Sequence, residues 1–132
     1  MSIHELAIRD QSDVVRVRHE VRAWAAKNGF SVVDQTKIVT AASELARNTL
    51  IYGLGGTCGL EWIEERARSG LRLIFTDSGP GIPDIQEALR DGFTSGNGMG
   101  LGLGGARRLM SEFEIHSEVG KGTRITATRW KP

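Results

Sequence analysis

The sequence predicts a single α/β domain, residues 1–132, built on a largely antiparallel sheet. Three observations predict it. Two long helical periodicities lie near the N-terminus, two pairs of short strand-like segments are each joined by a turn, and no repeat or linker interrupts them. A chain of 132 residues can bury roughly two-thirds of the surface that its unfolded form exposes.

Residues 3–8 mix apolar and charged side chains and read as a short strand. Over 12–27, Val14, Val17, Val21, Trp24 and Ala25 recur at three- and four-residue steps, the mark of an amphipathic helix. Ser12 is its expected N-cap, and Asn28 with Gly29 its stop. A second helix is expected over 34–51, with Ile38, Ala41, Ala42, Leu45, Thr49 and Leu50 inward and Asp34 as a first-turn or capping acid. Gly53, Gly55 and Gly56 end it. Segments 58–66 and 71–76 form a hairpin broken by Arg68, Ser69 and Gly70, and 84–91 is a short helix. Residues 105–113 read as a helix with Ala106, Leu109 and Met110 inward. Segments 114–118 and 123–130 then form a second hairpin, joined by Val119, Gly120, Lys121 and Gly122.

Composition excludes more than it identifies. Apolar residues make up 39% and charged residues 25%, ordinary for a globular protein, and the net charge of +1 gives no field for nucleic acid or membranes. The apolar runs are far shorter than the ~20 residues of a membrane span. Glu5 and Asp10 argue against a signal peptide, so the expected location is cytoplasmic. One cysteine, Cys58, excludes an internal disulfide and reads as a small buried apolar residue. Only the 17 glycines depart from the norm, at about twice the ~7% average usage.

Many of those glycines fall in motifs. Glu44 and Asn48, in the run ELARN, lie four residues apart and share a helix face. An amide oxygen at 48 suits Mg²⁺, which takes its remaining ligands from water and phosphates, and Glu44 could orient water or accept a proton. Alone, such a pair reads as a solvated face. Ala41, Ala42, Leu45 and Ala46 surround this one with apolar helix, where polar groups need partners. Asp77 ends an apolar strand before Ser78, Gly79, Pro80, Gly81 and Ile82. A carboxylate there can accept from an exocyclic amino group beside side-chain-free glycines, or the run is a plain turn.

The third motif has glycine at 96, 98, 100, 102, 104 and 105 and opens into a helix, a setting that can cradle phosphates. It fits neither the dinucleotide fingerprint nor the P-loop. A flexible loop is the alternative, although the alternating Met99, Leu101 and Leu103 look like apolar anchors of a lid. Other residues carry plainer readings. His19 and Glu20 resemble a phosphoacceptor pair without its helical hairpin, His4 and His116 are expected to be exposed, and Arg107 and Arg108 are phosphate ligands or surface charges. Trp24, Trp62 and Trp130 read as packing.

In order and spacing, ELARN, DSGPGIPD, GFTSGNGMGLGLGG and GKGT resemble the motif set of the GHKL (Bergerat-fold) ATPase/kinase superfamily. Within it, the chain is most similar to the small anti-sigma-type serine/threonine kinases, the RsbT-type switch kinases of bacterial stressosomes. The resemblance covers essentially the whole chain. It implies a two-layer α/β sandwich, with a mixed, mostly antiparallel sheet and helices on one face, and ATP with Mg²⁺ held between helices and lid. Asn48 would hold the metal, Glu44 would be the general base, and Asp77 would bind the adenine amino group. Gly79, Gly81 and Ile82 would line the base pocket, with Thr123 supporting its adenine end. Gly98, Met99, Gly100, Leu101 and Gly102 would form the lid, and Phe93 its aromatic base. The implied partners are small STAS-domain antagonist and scaffold proteins and a downstream phosphatase, with no nucleic acid and no membrane. Two competing functions follow, a kinase and a non-catalytic, nucleotide-gated binding module. Glu44 beside Asn48 favours the kinase, and the missing phosphoacceptor hairpin disfavours a detached histidine-kinase domain.

Overall fold

A computed structural model describes residues 3–90 and 102–132. Strand β1 (His4–Ile8) leads into helices α1 (Gln11–Lys27) and α2 (Val32–Ile51). Strands β2 (Gly56–Glu65) and β3 (Arg68–Asp77) follow, then the short helices α3 (Ile85–Ala88) and α4 (Leu103–Leu109). Strands β4 (Glu112–Glu118) and β5 (Gly122–Trp130) close the chain. The five-stranded sheet runs β1-β2-β3-β5-β4, and every neighbouring pair is antiparallel. The α/β sandwich is therefore as expected, but the parallel component of a mixed sheet is missing among the described residues.

The core follows from alternation on the strands and three- and four-residue spacing on the helices. Leu6, Ile8, Cys58, Leu60, Leu71, Leu73, Phe75, Ile125 and Ala127 point to one face of the sheet. Against them pack Val14, Val17, Val21 and Ala25 of α1 and Ile38, Ala42 and Leu45 of α2. The other sheet face carries Glu61, Arg72, Thr126 and Thr128 around a groove of about 380 Å³. Truncating a core leucine such as Leu73 to alanine would cost about 2–5 kcal/mol. Burial also pushes the Cys58 thiol up, so it stays protonated and apolar. No described helix is long and apolar enough to cross a membrane.

Several boundaries differ from expectation, each for a local reason. Asp10 caps α1, accepting from Asp13 N–H, while Ser12 lies inside the first turn and donates to Asp10 at 2.6 Å. Helix α2 begins earlier, because Ser31 caps it through Asp34 N–H. Asp34 remains a first-turn acid and binds Arg129 at 2.8 Å. The β2–β3 turn is Arg66 and Ala67, and Arg68, Ser69 and Gly70 are paired within the ladder. Arg66 takes a left-handed φ of 56°, which its sequence does not announce. Helix α4 starts at Leu103 and stops before Met110, since Ser111 N–H already bonds to Thr128 O beside β5. Phe113 consequently belongs to β4. His4 and His116 are exposed, as expected, although His4 pairs with Glu20 at 3.2 Å and stacks on Trp24.

Candidate functional site

The C-terminal half of α2, the end of β3, the connection after it, the start of α4 and strand β5 enclose a cavity of about 310 Å³. Of the expected site residues, Asn48, Asp77, Gly81, Ile82 and Thr123 line it. The walls are otherwise chiefly apolar, from Phe75, Ala88, Leu103 and Ile125. An apolar slot with a few convergent polar groups is the usual form of a small-molecule site.

Asp77 is the polar focus. Its carboxylate accepts from Gly79 N–H at 2.9 Å and from Thr123 N–H. Burial pushes its carboxyl up from the ordinary value, against the pull of those two donors. Close backbone contacts fix its surroundings. A Cβ at Gly53 would overlap the Asp77 carboxylate, and one at Gly79 would lie 2.8 Å from Gly53 Cα. Gly81 has φ +82°, and a Cβ there would overlap the Glu118 carbonyl oxygen. These glycines are needed for approach, and Gly81 for conformation as well.

Glu44 lies one turn before Asn48 but not on the cavity wall. Its Oε1 accepts from Arg47 Nη1 at 3.5 Å, and its other oxygen faces Gly102, where a Cβ would come within 2.5 Å. Gly102 is the left-handed N-cap of α4, with φ +66°. The structure thus brings the expected lid residue Gly102 beside the expected base. Phe93, Gly98, Met99, Gly100 and Leu101 lie outside the described residues. Asn48 lines the wall, and a neutral amide oxygen is a ligand type suited to a Mg²⁺ ion that takes its other ligands from phosphates and water.

Sequence reasoning missed other wall residues. Thr49, Tyr52 and Gly53 carry α2 around the cavity, and Pro83, Asp84 and Glu87 close the α3 side. In the sequence Gly53 marks only a helix stop, yet its missing side chain makes room for Asp77. Ser117 was also missed. It lies 35 residues from the Ile82 N–H that it accepts at 2.7 Å, so no local signal could have exposed it.

A two-layer α/β sandwich with a nucleotide-sized slot between α2 and the sheet is the architecture of the GHKL class. The profile of the histidine kinase-like ATPase domain matches residues 9–129, and the chain belongs to that family. It is 46% identical over 123 residues to serine/threonine-protein kinase RsbT of Bacillus subtilis (strain 168), covering 93% of this chain and 92% of that one. It is 30% identical to the anti-sigma F factor of Thermoanaerobacter sp. (strain X514), covering 86% and 82%. The catalytic domain of histidine kinase ThkA superposes with a TM-score of 0.55 over 99% of both chains; at 19% identity that likeness is one of fold.

Proposed function

We propose that this chain is an ATP- and Mg²⁺-dependent serine/threonine protein kinase that acts as a partner switch in bacterial stress signalling. The observation that carries the reading is Glu44 one helical turn before Asn48, beside the cavity that Asp77 closes. A kinase relative 46% identical over nearly the whole chain supports it. Its substrates would be serine or threonine hydroxyls on small STAS-domain antagonist and scaffold proteins, and a downstream phosphatase its second partner, all in the cytoplasm.

Each residue then has a task. Asp77 accepts from the adenine amino group, Gly81 and Ile82 line the slot for the base, and Gly79, off the wall, orients Asp77 through its N–H. Asn48 would hold Mg²⁺, which when bound neutralises charge on the phosphates. Glu44 takes the proton from the attacking hydroxyl as its oxygen bonds to the γ-phosphorus and the bond to the β–γ bridging oxygen breaks, releasing ADP. Positioning and charge neutralisation do most of the work in such transfers. The alternative is a non-catalytic module in which nucleotide only gates the binding of a partner.

The test is transfer of label from γ-labelled ATP to STAS-domain proteins. Glu44→Gln keeps the side-chain shape and removes its basicity, so transfer should fall about 10²–10⁴-fold while ADP binds within about twofold of the parent. Asn48→Ala should weaken Mg²⁺-dependent ATP binding in calorimetry. Parental transfer by Glu44→Gln removes Glu44 as base, and no transfer by the parent to any such protein leaves the gated binding module.

A further inference from the structure

Ser117 stands on the edge strand β4, outside every motif, yet its hydroxyl joins three separate parts of the site. Its Oγ accepts from Ile82 N–H at 2.7 Å and donates to Gly122 O at 3.1 Å. It also lies 2.9 Å from Thr123 Oγ1. With its one proton directed at Gly122, Ser117 must accept from the Thr123 hydroxyl, so its single donor and both acceptor positions are used. Thr123 in turn donates its backbone N–H to the Asp77 carboxylate. One hydroxyl therefore fixes Ile82 on one wall of the cavity and the partner of Asp77 on another. Two further contacts hold the same hairpin against the same loop. Gly120 N–H donates to Pro80 O at 2.8 Å, and Glu118 O sits where Gly81 lacks a side chain.

Resting on the proposed adenine site at Asp77, we propose that Ser117 is a positioning residue that sets the width of the base pocket. It touches no nucleotide itself. Removing its hydroxyl leaves the half-buried Ile82 N–H without an acceptor and frees the 79–82 loop to move away from β4. The pocket then widens at its adenine end, while Glu44 and Asn48, on α2, keep their places.

The test is Ser117→Ala, with Ser117→Thr as the variant that keeps the hydroxyl, both assayed well below their thermal midpoints. Ser117→Ala should bind ADP about tenfold more weakly and raise the KM for ATP by a similar factor. Its kcat at saturating ATP should stay within about twofold of the parent, and Ser117→Thr should recover most of the affinity. A purely structural serine would lower the thermal midpoint and leave the ADP affinity of the folded protein unchanged, and that result overturns the proposal. Should Ser117→Ala not fold, Ser117→Cys, similar in size and a weak acceptor, is measured against the same expectation. Asp77→Asn run in parallel separates the two claims. If it binds ADP like the parent, the adenine assignment falls; if it is weakened while Ser117→Ala is not, only the role of Ser117 falls.

Discussion

The two hairpins of the sheet are similar in form and different in consequence. β2–β3 turns through Arg66 and Ala67, and its ladder runs unbroken from Glu65 and Arg68 to Gly56 and Asp77. Its tip is exposed and meets nothing of the cavity. β4–β5 turns through Val119, Gly120 and Lys121, and this turn is pressed onto the loop after Asp77. The first hairpin needs only a ladder and an apolar face. The second must also fit two backbones together, and that requirement explains Gly122, while Gly120 serves only its left-handed turn. Close packing of main chain against main chain, more than the ladder itself, separates a hairpin that carries the sheet from one that shapes a site.

The sharpest way to break this comparison is to add one methyl group to each glycine of the second turn. Gly122 has φ +97°, and a Cβ there would overlap the carbonyl oxygen of Asp77. Gly120 has φ +83°, with open space around the same position. Left-handed backbone costs a residue with a side chain about 1–2 kcal/mol in both cases. Gly122→Ala adds displacement of the Asp77 backbone, so it should lose more than ~2 kcal/mol of stability and bind ADP at least about tenfold more weakly. Gly120→Ala should show the strain alone and bind ADP as the parent does. Thermal unfolding with ADP calorimetry checks both, and equal ADP affinities for the two variants would remove the contact argument.

The same contrast decides what the sequence could reveal. Alternation in β3 and β5 and the three- and four-residue spacing of α1 and α2 are local patterns, so the core face and the two expected hairpins were legible, whereas the β1–β2 and β3–β5 pairings were not. The cavity residues Asn48, Asp77, Gly81, Ile82 and Thr123 were legible because their motifs are contiguous. Gly53 and Ser117 were not. What they do depends on Asp77 and Ile82, which are distant in sequence and near only after the sheet and the 78–84 connection have formed. Boundaries slipped where a cap won over a pattern, as with Asp10 and Ser31, or where tertiary pairing did, as where β4 takes Phe113 from the expected helix.

An intermediate effect is expected from Asp77 and pH. Because burial raises its carboxyl above the ordinary 3.8, the folded state holds the proton more tightly than the unfolded chain. The favourable contribution of protonated Asp77 is thus fully present below 3.8 and lost as pH rises through the raised value. Charged Asp77 therefore opposes folding at neutral pH, and under the proposed assignment a bound adenine amino group would compensate it. ADP affinity should fall as acid protonates Asp77, beginning above the usual carboxylate range. Asp77→Asn should bind ADP about ten- to a hundredfold more weakly at neutral pH and lack that acid limb. An acid limb unchanged in Asp77→Asn would assign the titration to another group.

The smallest effect belongs to the first hairpin. Arg66 holds φ at 56°, where a side chain costs about 1–2 kcal/mol and glycine is free of that strain. Glycine also loses about 0.5–1 kcal/mol through the extra freedom of its unfolded chain. Arg66→Gly should therefore stabilise the protein by about 0.5 kcal/mol, a rise of about 1–2 °C in thermal midpoint for a chain of this size. No ion pair or side-chain hydrogen bond of Arg66 is seen among the described residues, so nothing offsets the gain. ADP affinity and phosphoryl transfer should match the parent, because the tip of β2–β3 touches no wall of the cavity. A change in either would mean that the first hairpin also reaches the site, through the β3 ladder that ends at Asp77, and the division between the two hairpins would fail.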